Sequence, residues 1–221
     1  MPESRKAFHE ELDELRSDVV RLGAMVVEAV QAATAALLSL DLAQAEQVVA
    51  SCEAADALSA SIEDRCYKLL ARQQPMAVDL RTIVAILRVN HELELTEHLM
   101  VSVAKAARRL YPNRLEPRLR GIIDRMREQA TDQLELAIDA FADLDPAKAA
   151  ALSDMDDSMG ELQKSLFRAI FADPAPDEGT LQRAVQVALV ARFFERSADH
   201  AVNIGERVSF MVTGQLPSAA V

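Results

Sequence analysis

Apolar residues recur along this chain at alternating steps of three and four, the period of an amphipathic helix rather than the two-residue alternation of a strand. Ile86, Val89, Leu93, Thr96, Met100, Val103, Ala107 and Leu110 form one such series. Val187, Val190, Phe194, Ser197, Ala201, Ile204, Val208 and Met211 form another, each member 101 residues after its counterpart. A mean step of 3.5 residues is the seam of a left-handed helical bundle.

Breaks in the pattern divide the chain into six helices. The first is expected from Ser4 to about Ser39, and the second, behind an Asp41 cap, from Leu42 to about Arg72. Gln73, Gln74 and Pro75 interrupt it, because proline lacks an amide donor and disfavours helix in the residue before it. Asp79 is read as the cap of the third helix, which runs to about Leu110. A fourth helix follows the break at Pro112, from Leu115 to about Asp143. The fifth starts at Asp145-Pro146, a capping carboxylate followed by proline at the first helical position, and runs to about Phe171. Asp173 to Gly179 reads as a loop, Thr180 to Val212 as the sixth helix, and Thr213 to Val221 as a frayed tail. Leu40-Asp41 and Leu144-Asp145 occupy the same place 104 residues apart. The common shift and matching breaks predict an all-α fold of two tandem, pseudo-symmetric three-helix bundles, residues 1–112 and 113–221. Short links make neighbouring helices antiparallel.

Composition narrows the picture further. Of 221 residues half are hydrophobic and 27% charged, a globular balance, while only 4% are aromatic and six are glycine. Few turn formers and many helix formers argue against a sandwich, a barrel or a doubly wound sheet. A net charge of −11 disfavours nucleic acid and anionic membrane surfaces. Residues 1–15 lack the apolar stretch of a signal peptide, and no 18-residue window is free of charge, so no spanning helix and a cytoplasmic location are expected. Cys52 and Cys66 stand 14 residues apart on one helix, about 21 Å, too far to bond. They read as small buried hydrophobes.

The chemistry available lies outside the seams. Glu195, Asp199 and Asn203 are spaced by four, with Glu206 three further on. At 100° per residue they share a sector of about 80°. Carboxylates so placed repel one another unless a cation sits between them, and side-chain oxygens on adjacent turns can converge on one metal ion. His200 adjoins this face. The equivalent face of the third helix carries Glu94, His98, Ser102 and Lys105, where Glu and His can share a metal. Acidic clusters also sit one helix earlier in each half: Glu53 and Asp56, and Asp154, Asp156 and Asp157. An antiparallel neighbour brings such carboxylates to the face of the next helix. No nucleophile–base pattern, glycine-rich phosphate loop or GxSxG occurs, so no catalytic residues are assigned. The rival from another class is a carboxylate-bridged metalloenzyme on a helical bundle, although no Glu-x-x-His occurs on the motif helices.

The segment Arg72-Gln73-Gln74-Pro75-Met76-Ala77-Val78-Asp79-Leu80-Arg81, running on to Ile86-Leu87, resembles the signature of the PhoU family. Glu195-Arg196-Ser197-Ala198-Asp199-His200-Ala201-Val202-Asn203-Ile204 resembles that family's ExxxDxxxN helix. The likeness extends from about Phe8 to Val212. It implies two similar three-helix bundles acting as an intracellular regulator of phosphate uptake and a negative regulator of the phosphate-starvation response. The implied partners are the ATPase of the phosphate ABC transporter, the sensor histidine kinase of the phosphate two-component system, and a second copy in a homodimer. An accessory subunit of another phosphate permease is the alternative. The resemblance further implies divalent or trivalent metal ions (iron, zinc, manganese or magnesium) and no organic cofactor. In the second half the implied ligands are Glu195, Asp199 and Asn203 with Asp156 or Asp157. In the first half they are Glu94 and His98 with Glu53; there His98 stands for the family's Asp, Ser102 for its Asn, and Leu95 for the Arg after the Glu.

Overall fold

The computed structural model describes residues 2–73, 75–172 and 177–215. Among these are six helices and no strand: α1 Pro2–Ser39, α2 Leu42–Gln73, α3 Val78–Leu110, α4 Pro117–Asp143, α5 Pro146–Ile170 and α6 Glu178–Thr213. Helices α1, α2 and α3 pack on one another, as do α4, α5 and α6. The two trios lie side by side through α1 against α4 and α3 against α6, so that one continuous apolar core runs through both.

All sixteen members of the two sequence seams are buried, Phe194, Leu93 and Met100 completely. Close approach between helices depends on small residues at two places. A Cβ on Gly23 would stand 2.6 Å from Ile138 across the α1–α4 contact. One on Gly205 would stand 2.9 Å from the Ala149 carbonyl oxygen of α5.

The paired Leu-Asp links are one structure used twice. Leu40 and Leu144 both take left-handed backbone, with φ of 57° and 55°. The following Asp amides donate back to Ala36 and Ala140 carbonyls at 3.0 Å. Such a helix stop usually carries glycine; leucine bears a strain of about 1–2 kcal/mol. Asp41 then accepts from the Gln44 amide at 3.0 Å, and Asp145 from the Ala147 amide at 2.8 Å, capping α2 and α5 as expected.

Four helix starts differ from expectation, α1 beginning at Pro2, two residues before Ser4. α3 begins at Val78, and its cap is Ala77, at φ 51° and without a side-chain hydrogen bond, rather than Asp79. Asp79 lies in the first turn, where a carboxylate favours the positive helix end, and pairs with His9 at 3.5 Å. α4 begins at Pro117, not Leu115, because proline occupies the first position. α6 begins two residues early because Asp177, expected in the loop, caps it through the Thr180 amide at 2.9 Å. The rest of that loop, 173–176, and the tail 216–221 lie outside the described residues.

One helix, Arg5–Ser39, holds an 18-residue window with mean hydropathy 1.5, enough by length and composition to cross a membrane. Half of that window is buried inside the bundle. Leu22, Val26, Val30, Ala33 and Leu37 all face the core without exposure, so much of this apolarity serves packing.

Candidate functional site

In the second half, α5 and α6 bring three carboxylates into mutual range. Asp199, one turn after Glu195 on α6, acts electrostatically on Asp156 of α5, Glu195 feels both Asp199 and Asp156, and all three are partly buried. Burial first, then the charges of Asp199 and Asp157, raise the Asp156 carboxyl above its ordinary range. Burial and Asp199 likewise raise Glu195, against the opposing pull of Arg192, which pairs with it. Asp156 and Glu195, each raised by burial and by the Asp199 charge, with one arginine beside them, are a site whose charge a hard cation would balance. Asp157 is exposed on α5 and lines an open groove with Arg125, Gln129 and Asp132 of α4. Asp156 is therefore the residue at the α6 face.

Asn203 and His200 face elsewhere. Asn203 Nδ2 donates to Glu92 of α3 at 3.3 Å, and His200 Nδ1 lies 2.5 Å from the same carboxylate. A carboxylate only accepts, so Nδ1 carries the proton. The side chains of Glu92 and His200 are 13% and 8% exposed. Burial pushes the Glu92 carboxyl up, but the hydrogen bonds from His200 and Asn203 outweigh it and hold the group below its ordinary value. This cluster ties the first bundle to the second, together with Arg16 donating to the Ala142 carbonyl at 3.0 Å. His200 thus serves the inter-bundle contact, not the acidic face it adjoins in sequence.

In the first half, His98 Nε2 lies 3.0 Å from Asp56 Oδ1 on α2. Cys52, one turn before Asp56, places Sγ 3.7 Å from Oδ2 of the same carboxylate. The three donor atoms lie within 4.8 Å of one another. Burial, with the nearby Asp56 and Glu97 charges, pushes the Cys52 thiol up to about 11. Glu97 is 2% exposed, its Oε2 has no hydrogen-bond partner among the described residues, and burial together with Asp56 lifts its carboxyl to about 7. Of the residues singled out in this half, His98 and Asp56 join this cluster. Glu53 is exposed. Glu94 lies 4.0 Å from His91 and lines a different groove with Glu63, Tyr67 and Arg88.

Cys52 and Glu97 escaped the reading of composition and spacing: a cysteine on an apolar helix looks like core, and Glu97 lies off the Glu94–His98 face. The available signal was the repeat itself, since Cys52 plus 104 is Asp156 and His98 plus 101 is Asp199. Cys66 behaves as expected of a buried hydrophobe: it is free, fully buried, and its thiol is raised to about 12 by desolvation.

Comparison with known proteins agrees with this architecture. The PhoU domain model matches twice, at residues 19–107 and 123–208. The phosphate-specific transport system accessory protein PhoU homolog 1 of Mycobacterium tuberculosis is 37% identical over 215 residues, 97% of this chain and 96% of that protein. The crystal structure of PhoU from Pseudomonas aeruginosa superposes with a TM-score of 0.88 at 29% identity, covering 94% of this chain and 100% of that one. The crystal structure of the phosphate transport system regulatory protein PhoU from Streptococcus pneumoniae does so with a TM-score of 0.87 at 28% identity, covering 96% and 99%. With both halves matched, the whole length shared and the fold superposed, the chain belongs to the PhoU family.

Proposed function

We propose that this chain is a cytoplasmic, non-catalytic regulator of phosphate uptake and a negative regulator of the phosphate-starvation response. It acts as an adaptor between the ATPase of the phosphate ABC transporter and the sensor histidine kinase. The observation that carries this reading is likeness to a phosphate-specific transport system accessory protein across 97% of the chain, both bundles included. An adaptor without turnover works only through differential affinity for two states of its partners. Its effect on the kinase therefore depends on whether the transporter is engaged.

We assign metal binding in the second half to Glu195, Asp199 and Asp156; Asn203, engaged with Glu92 of α3, is left out of the set. The rise of both Asp156 and Glu195 beside Asp199 supports it: an all-oxygen donor set, crowded with like charge, suits a hard or borderline cation such as magnesium, manganese or iron. When bound, the ion would neutralise the carboxylates and clamp α5 to α6.

Pull-down of the tagged full chain from phosphate-replete cells tests the adaptor reading. The transporter ATPase and the sensor kinase are expected among the captured proteins. Absence of both, with the bait folded and abundant, would overturn the assignment.

A further inference from the structure

We infer that Cys52, Asp56 and His98 form a thiolate–carboxylate–imidazole metal site in the first bundle, selective for zinc-class ions and chemically distinct from the carboxylate cluster of the second.

Geometry comes first. Around one tetrahedral zinc ion, with bonds of about 2.0–2.3 Å, donor atoms stand about 3.3–3.6 Å apart. Here Cys52 Sγ lies 3.7 Å from Oδ2 and His98 Nε2 3.0 Å from Oδ1 of the one Asp56 carboxylate, and one donor atom from each residue falls inside 4.8 Å. Cys52 and Asp56 sit on successive turns of α2, and His98 approaches from α3, so two rigid helices fix the set. The Cys52 thiol donates to Asp56, as does His98 in its Nε2–H tautomer; an ion would take the place of both protons, the thiol proton leaving to solvent and the imidazole proton passing to Nδ1, so that the ring stays neutral.

The repeat supplies the second argument. The 104-residue shift carries Cys52 onto Asp156 and Asp56 onto Gly160, and the 101-residue shift carries His98 onto Asp199. At corresponding places the second half therefore offers two carboxylates and no third side chain. The first half has exchanged both oxygens for sulfur and nitrogen and added Asp56. Thiolate and imidazole favour zinc and its neighbours over magnesium, manganese or calcium, so the two halves prefer different ions.

Charge agrees, and a further buried carboxylate stands nearby. Thiolate and carboxylate together carry −2, which a divalent ion neutralises while imidazole stays neutral. The ion enters as M2+ and forms bonds to sulfur, oxygen and nitrogen, and the Cys52 S–H proton leaves to solvent, so one proton is released per ion. Glu97 is a buried carboxylate whose Oε2 has no hydrogen-bond partner among the described residues, and its charge reaches both Cys52 and Asp56. It also borders a cavity of about 290 Å3 lined by Glu28, Gln44 and Ser51. A polar group left unpartnered in that position is accounted for by an ion or an ion-bound water beside it.

The test uses the full-length protein, stripped of metal and titrated with Co2+ under reducing conditions. A thiolate-to-cobalt charge-transfer band is expected at one equivalent, with release of one proton, displaced by Zn2+ and not by Mg2+ or Mn2+. Cys52→Ser should abolish the band; Cys66→Ser and Asp199→Ala should retain it. His98→Ala should weaken cobalt binding more than the ~10-fold that loss of an outer-shell partner brings. Circular dichroism of each variant confirms the helical fold, and the exposed His98 provides a second route should Cys52→Ser unfold. Absence of the band in wild type, its persistence in Cys52→Ser, or unchanged affinity in His98→Ala would overturn the proposal. Retention of the band in Asp199→Ala separates this site from the second-half assignment, whose failure would leave the cobalt band unchanged.

Discussion

Replacing His200 by leucine should expose how strongly α3 and α6 depend on one buried contact. The Glu92 carboxylate, with only 13% of its side chain exposed, accepts from His200 at 2.5 Å and more weakly from Asn203 at 3.3 Å. In His200→Leu it keeps only the weaker donor. Burial, the largest single influence on Glu92, then prevails, and the folded-state pKa rises above the ordinary 4.5 instead of lying below it. Protonation limits the damage: neutralising a carboxylate of pKa 4.5 at pH 7 costs about 3.4 kcal/mol, from 1.36 kcal/mol per unit. The expected loss at pH 7 is about 2–3.5 kcal/mol, a large share of a typical 5–15 kcal/mol. The pH dependence follows from the sign of each shift. In wild type the depressed Glu92 pKa gives stability that is full above pH 4.5 and is lost as pH falls through the folded value. In His200→Leu the raised pKa reverses this, so stability falls as pH rises from 4.5 towards 7, by up to about 1.4 kcal/mol per pH unit. Urea denaturation at pH 5 and pH 7 therefore gives a larger wild-type-to-variant gap at pH 7. The double variant Glu92→Leu/His200→Leu should recover much of the loss, because no carboxylate is left stranded. Equal gaps at both pH values, together with additive single losses, would refute the buried-pair account.

Other substitutions test other parts of the structure. Phe194→Ala, in a wholly buried position, should destabilise by about 3–5 kcal/mol in the same denaturation assay. Gly205→Ala should cost about 1–3 kcal/mol, because the new Cβ meets a helix backbone carbonyl at 2.9 Å that cannot move aside as a side-chain tip would. Asp199→Ala should lower the metal retained after loading with Mn2+ or Fe2+, read by elemental analysis of the desalted protein. Content equal to wild type would remove the second-half assignment.

What the sequence made legible is what periodicity encodes. The 3.5-residue seams set which faces of α3 and α6 are buried, and the repeated Leu-Asp links set where helices end. Asp79 misled because a capping residue and a first-turn acid look alike in sequence; the cap falls instead on an alanine at positive φ. The candidate sites were less legible for a geometric reason. Spacing by four places Glu195, Asp199 and Asn203 on one face, but each step advances 400°, so the row drifts by 40° per turn. By Asn203 the drift has carried the side chain from α5 towards α3. A single-helix pattern also cannot say which residue of a neighbour arrives opposite: Asp56 and Cys52 meet His98, while Glu53 on the same helix is exposed.

The central claim, that this chain restrains the phosphate-starvation response, is tested most directly in cells by reporter output from a starvation promoter at high phosphate. The comparison is between wild type, a strain lacking this gene, and one lacking any sister copy as well. The account predicts that output is off in wild type and on in the deletion, in the single strain or, where a sister copy compensates, in the double. Repression unchanged in both strains would contradict it.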